Sequence, residues 1–297
     1  MKYTFFFALL VLTKVSLAQG DLLSLVENKG GKPKKEYISN AFKSSRVING
    51  HSMEFIGKGV LDVRILHRFG TVNSGLNNLF GLDQANMRFG FDYGIAKSLT
   101  IGVGRSNVGK EWDGFIKFRP IWQSKGGSWP SPVSVVMITG ATYSTVPWAD
   151  PSRKNYTTSR MGFYNMLIIG RKFGERFSMQ VAPTFVHRNI VATSMEHNNV
   201  YALGVGARFK LSKRIAFVAD YHYIVKGLDK EIYKDPLSVG FDIETGGHVF
   251  QLHFSNATGM NEKAFITNTT NDWAKGDVRF GFNMSRVFTI GKKTRHK

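Results

Sequence analysis

Stretch after stretch of this chain alternates residue by residue between apolar and polar side chains. That period of two constrains the fold more than any other feature. Leu61, Val63, Ile65, His67 and Phe69 share one face, while Asp62, Arg64 and Arg68 share the other. Met87, Phe89, Phe91 and Tyr93 oppose Arg88, Gly90, Asp92 and Gly94; Tyr201, Leu203, Val205, Ala207 and Phe209 oppose Gly204, Gly206 and Arg208. The pattern repeats at 215–226, 237–244 and 278–285. Successive side chains of a strand point to opposite faces, so each stretch reads as a strand with one apolar side. A soluble sandwich alternates too. Here, however, the polar face mixes small residues with charges of both signs, and the apolar face is long and ends in aromatics. That suits hydrocarbon outside and a polar lumen inside. Unpaired backbone groups cannot face lipid, so such a sheet must close. The expected fold is all-β, a closed antiparallel transmembrane β-barrel of about twelve strands.

The strands are expected near 58–69, 85–95, 98–106, 110–123, 132–143, 161–172, 176–188, 199–210, 214–226, 237–245, 248–256 and 277–290. Long connections begin at Gly70, Ser144, Asn189, Gly227 and Ala257; tight ones fall around Ala96-Lys97, Gly174, Ser212-Lys213 and Gly246-Gly247. Long external loops and short periplasmic turns alternate in barrels of the outer membrane. Asn107-Val108-Gly109, a short external loop, and Ser124 to Ser131, a long periplasmic turn, break the rule.

Residues 1–18 read as an export signal: Lys2 is the basic start, Tyr3 to Leu12 the apolar run, and Ser16-Leu17-Ala18 the cleavage site. The run is too short to span a membrane as a helix. The mature chain then starts at Gln19, and the protein is expected in the outer membrane. Residues 19–57 form a periplasmic N-terminal segment or a lumen plug. Leu22, Leu23, Leu25 and Val26 suit a helical turn, Lys29 to Lys35 is basic, and Ser45 to Phe55 is extended. The barrel occupies 58–291, and 292–297 is a basic periplasmic tail. Cysteine is absent, which excludes disulfides, thiol nucleophiles and thiolate metal sites. The formal charge of +19 becomes +17 once Lys2 and Lys14 leave with the signal. In an exported protein that excess points to membrane lipid, envelope components or an acidic partner, and not to nucleic acid.

Parity places Asp62, Arg64, Arg68, Arg88, Asp92, Asp113, Lys117, Arg119, Arg208, Asp220, Lys226, Asp242, Glu244 and Arg279 in the lumen, eight basic and six acidic, with His222 and His253 beside them. Near balance of sign and several long arginines favour a narrow or salt-bridge-filled lumen, with Asp92 beside Arg88 and Asp220 beside Arg208. The alternative is a channel for small polar or anionic solutes with a slightly cationic wall.

From His67-Arg68-Phe69-Gly70 onward the sequence resembles a known family. Phe80-Gly81-Leu82-Asp83 follows, then Arg88-x-Gly90-x-Asp92-Tyr93-Gly94, Gly104-Arg105-Ser106 and Asp113-Gly114-Phe115-x-Lys117. In that order these are similar to a Bacteroidota family of outer-membrane β-barrel proteins bearing a domain of unknown function. The resemblance spans the mature chain, with its specific motifs between about 46 and 123. It implies a barrel and an outer-membrane location, and no activity or site residues. Many barrels end on an aromatic residue, whereas here nine residues follow Phe288.

Other constellations carry less. Gly104-x-x-x-x-Gly109-Lys110 imitates a phosphate-binding loop, but Glu111 replaces the hydroxyl that would hold Mg²⁺. His248 and His253 fall on opposite faces of one strand. His187 and His197 flank a loop with no carboxylate at ligand spacing. A membrane-embedded lipid hydrolase would need a serine and an acid beside outward-facing His67, and neither shares its face. No enzyme, metal site or cofactor is expected.

Overall fold

The computed structural model describes residues 34–290, apart from 192, 194, 195 and 247. The export segment 1–18, the apolar turn at 22–26 and the basic tail 292–297 lie outside the described residues. Twelve alternating stretches form the barrel strands β2 (Val60–Thr71), β3 (Ala85–Ala96), β4 (Leu99–Ser106), β5 (Glu111–Ile121), β7 (Ser134–Ser144), β8 (Met161–Lys172), β9 (Phe177–Arg188), β10 (Asn199–Lys210), β11 (Ile215–Lys226), β12 (Leu237–Thr245), β13 (His248–Ser255) and β14 (Arg279–Thr289). Each pairs antiparallel with its neighbours in the chain. The last strand pairs with the first, from Arg279 against Thr71 to Thr289 against Val60, and closes the sheet. Among the described residues no helix is long and apolar enough to cross a membrane. The strands supply the apolar wall instead. Phe89, Phe91, Ile101, Val103, Ile116, Phe118, Leu203 and Phe241 stand exposed on its outer face.

One end of the barrel, the turn end, holds the tight turns at 97–98, 173–176 and 211–214 and the β12–β13 connection at Gly246, together with the start of β2 and the end of β14. The opposite, loop end carries 72–84, 145–160, 189–198, 227–236 and 256–278, with the short 107–110 between β4 and β5. Gly70, expected to open a loop, lies inside β2. It is buried against Gly81, because the loop after β2 folds back over the strand end. The long connection at the turn end also has a cause. It contains β6 (Ser124–Lys125), which pairs with the short strand β1 (Glu36–Tyr37) just ahead of the segment that enters the barrel.

Two pieces of chain occupy the lumen. From the turn end, residues 41–54 run inward, with Ala41, Phe42, Val47, Ile48 and Met53 buried. From the loop end, residues 256–278 dip in and form α1 (Glu262–Thr267). Asn261 caps this helix, its side-chain oxygen accepting from the Ala264 amide at 2.8 Å. Ala264, Phe265 and Ile266 then turn their apolar faces inward, where they are buried.

Candidate functional site: the lumen

The inward face of each strand supplies the wall. Thirteen of the residues expected in the lumen are buried: Asp62, Arg64, Arg68, Arg88, Asp92, Asp113, Lys117, Arg119, Arg208, Asp220, His222, Asp242 and His253. Glu244 is part-exposed at the turn end, where it pairs with Lys43 at 2.5 Å. Arg279 is half-buried at the loop end and donates to the Phe69 carbonyl at 3.1 Å. Lys226 departs from the expectation. It is exposed at the end of β11, beyond an irregularity at Tyr201/Ala202 that shifts the register of the β10–β11 pair.

The pairing of these charges differs from simple proximity along the sequence. Arg88 does not pair with Asp92. It reaches across β4 to Asp113 on β5, its Nε donating to Oδ1 at 2.8 Å, with both side chains fully buried. Gly104 makes this reach available, because a Cβ there would stand 2.2 Å from the Arg88 Nη2. Asp92 instead lies 4.0 Å from Arg64, which bonds Asp62 at 3.2 Å. Asp220 likewise does not hold Arg208. Its carboxylate accepts from the backbone N–H of Asn49 at 2.8 Å and of Gly50 at 2.9 Å, and meets the His222 ring at 2.9 Å. Arg208 donates to the Ala41 carbonyl at 3.3 Å.

The partners that proximity missed belong to the segment running through the lumen. Its backbone is satisfied by the wall nearly residue by residue. Lys117 donates to the Ser45 and Glu54 carbonyls at 3.2 and 2.6 Å. Gln180 accepts from the Met53 amide at 2.8 Å and donates to the His51 carbonyl at 2.7 Å. Asn283 donates to the Ile48 carbonyl at 3.1 Å, Gln251 donates to that of Val47, and Arg68 donates to the Asn49 side chain at 2.7 Å. Ser45 to Phe55, expected to be extended, doubles back at 47–50, where the Val47 amide donates to the Gly50 carbonyl at 2.8 Å and the Ser52 amide to the Ser45 carbonyl at 2.9 Å. Buried backbone groups must find partners, and side chains of the wall meet most of the rest. That is why the wall needs amides and cations at these positions.

The two intruding pieces meet. The Arg46 guanidinium contacts the Glu262 carboxylate at 2.7 Å and His51 lies 3.4 Å from the same carboxylate, all with side chains 0% exposed. Asn261 and Lys263 grip Glu111 at the start of β5, at 2.9 and 2.6 Å. Phe265 packs on the His222 ring, centroids 4.7 Å apart. Alternation alone gave no sign of Arg46, His51 or Glu262 as lumen groups, while Glu111 shares the inward parity of Asp113 and Lys117 although it was not among the residues expected there. Asn261 followed by Glu262, with Ala264, Phe265 and Ile266 beyond, was the available signal: a helix cap ahead of an apolar run.

The remaining motifs resolve simply. Gly104 to Glu111 is a β-hairpin, and the Glu111 carboxylate points to Asn261 and Lys263. The His187 ring meets the Asn199 side chain at 2.6 Å, and the His197 carbonyl accepts from Arg188. His67 stacks on Phe282 on the outer wall, centroids 4.9 Å apart. No group of three metal-ligating side chains occurs among the described residues.

A search of curated proteins finds no match to the chain. Among solved structures the chain is similar to the NanC porin (TM-score 0.46, 8% identity, 77% of this chain and 98% of that one) and the KdgM porin (0.46, 9%, 77% and 99%). It is also similar to the outer membrane protein Omp33 of Acinetobacter baumannii (0.41, 8%, 77% and 97%). The family model for the membrane bound beta barrel domain of unknown function DUF5777 matches residues 42–288, which takes in the barrel and the segment threading its lumen, and the chain belongs to that family.

Proposed function

We propose that the protein is a non-enzymatic outer-membrane β-barrel that its own chain holds shut, a structural or accessory component of the envelope. Its export signal is residues 1–18, its barrel 58–291, its periplasmic tail 292–297, and its N-terminal segment 19–57 includes the plug. Membrane lipid surrounds it, and envelope proteins are the partners that fit this role. The observation that carries the reading is the Arg46–Glu262 contact, where the N-terminal segment and α1 meet with both side chains fully buried. A chain entering from one end and a helix entering from the other leave the wall charges with protein partners in place of water.

One observation favours a second reading, a channel for small polar or anionic solutes. The backbone of the segment is held by polar contacts, which water can replace, and a cavity of about 400 Å³ already opens beside it at the turn end, bordered by Lys43, Glu54, Asp62 and Glu244. Planar-bilayer recording separates the two. The full chain is expected to be electrically silent, and the chain lacking residues 34–57 to conduct. Steady conductance of the full chain would refute closure and favour the channel.

A further inference from the structure

The loop end carries a pocket that the closure of the lumen does not use. Its volume is about 280 Å³, near the lower bound of roughly 300 Å³ for small-ligand sites. It lies between the loop after β7, the end of β9 with Ile190, and Lys263 of α1. Three cations line it, Arg160, Arg188 and Lys263, and no carboxylate does among the described residues.

Each cation is positioned. The Arg160 guanidinium lies over the Trp148 ring, 4.0 Å from its centroid, and one nitrogen donates to the Ser144 carbonyl at 3.3 Å. It has no carboxylate partner among the described residues. Arg188 is only 6% exposed; it pairs with Glu196 at 3.0 Å and donates to the His197 carbonyl at 2.8 Å, yet its Nε has no partner. Lys263 is held by Glu111 at 2.6 Å. Three positive charges therefore line the pocket, and the two carboxylates that pair with them, Glu196 and Glu111, are not part of its lining. Val146 and Ile190 border it with 45% and 58% of their surface exposed, an apolar rim against which a ligand's body can rest.

We infer that this pocket binds a small soluble organic anion, with a carboxylate or phosphate held by Arg160, Arg188 and Lys263 and an apolar or ring-shaped body against Val146 and Ile190. The Arg160 guanidinium, fixed over Trp148 with one nitrogen donating to the Ser144 carbonyl, keeps a pair of donors that matches the oxygens of either acid. The site faces the mouth of the barrel beside Lys263 of the lumen helix, so its ligand arrives from solution and not from the surrounding lipid. Recognition here does not depend on whether the lumen conducts.

The test is calorimetric titration of the full-length protein in a neutral detergent, with glucose 6-phosphate as the organic anion and glucose as the uncharged control. Glucose 6-phosphate is expected to bind at least ten-fold more tightly than glucose. Arg160→Gln is expected to weaken it about ten-fold, Lys263→Met to weaken it as well, and high salt to weaken it further. Retained heat-modifiable mobility on a denaturing gel shows that each variant still folds. Equal affinity for the two sugars, indifference to both substitutions in folded protein, or binding that appears only with anionic lipid would each overturn the inference.

Discussion

Arg88 shows what a single residue demands of its neighbours in this lumen. A guanidinium with no solvent must find acceptors, and Asp113 provides a carboxylate in a two-point contact. Removing one partner of such a pair leaves a buried charge uncompensated, at about 3–5 kcal/mol. Asp113→Ala should therefore lower the temperature at which the folded gel band disappears. Arg88→Met/Asp113→Leu should recover most of the loss, since replacing both partners is often close to neutral. A double variant as unstable as the single one would show that the pair is not the cause. Parity read Arg88 and Asp113 into the lumen from the sequence, but parity says only which face a residue takes. Which carboxylate an arginine meets depends on the strand-to-strand register and on the gap that Gly104 leaves, and neither is written in the spacing of Arg88 and Asp92.

The strands were the most legible elements because their signal is local. β8, β10 and β12 begin and end where alternation placed them, and the others fall within about two residues. α1 and the segment 41–54 were not, because both are stable only against the wall that encloses them. A six-residue helix has little stability of its own. The outer wall supports two tests. Val205 faces outward near the middle of β10, so Val205→Arg should cost about 2–4 kcal/mol in a bilayer, whereas Gly174→Arg, in an open turn, should be nearly neutral. Equal stability of the two in urea titrations with lipid vesicles would mean that β10 does not cross hydrocarbon. Asn165, exposed at the centre of β8 and opposite Thr139, makes no side-chain hydrogen bond among the described residues. An unpaired amide in an apolar environment costs roughly 1–3 kcal/mol. Asn165→Leu should accordingly stabilise the protein in the same titration, and destabilisation would show that the amide has a partner in the membrane.

At the scale of the whole molecule, the closed sheet and the chain inside it form one unit. The wall's inward amides and cations complete the backbone of segment 41–54, and α1 meets it from the opposite side through Glu262 and Arg46, 216 residues apart in the chain. No pattern of local period could join residues so distant, which is why the near balance of lumen charge was readable and its arrangement was not. The most direct measurement of this account uses the absence of native cysteine. Val47 lies over Gly206 so closely that a Cβ at 206 would stand 2.8 Å from the valine Cγ2. The double variant Val47→Cys/Gly206→Cys, made in the full-length chain and oxidised in the membrane, should form an intramolecular disulfide in nearly every molecule, identified by mass spectrometry of the linked peptides. Two free thiols, both reacting with a membrane-impermeant maleimide, would contradict the placement of residue 47 in the lumen and with it the closed barrel.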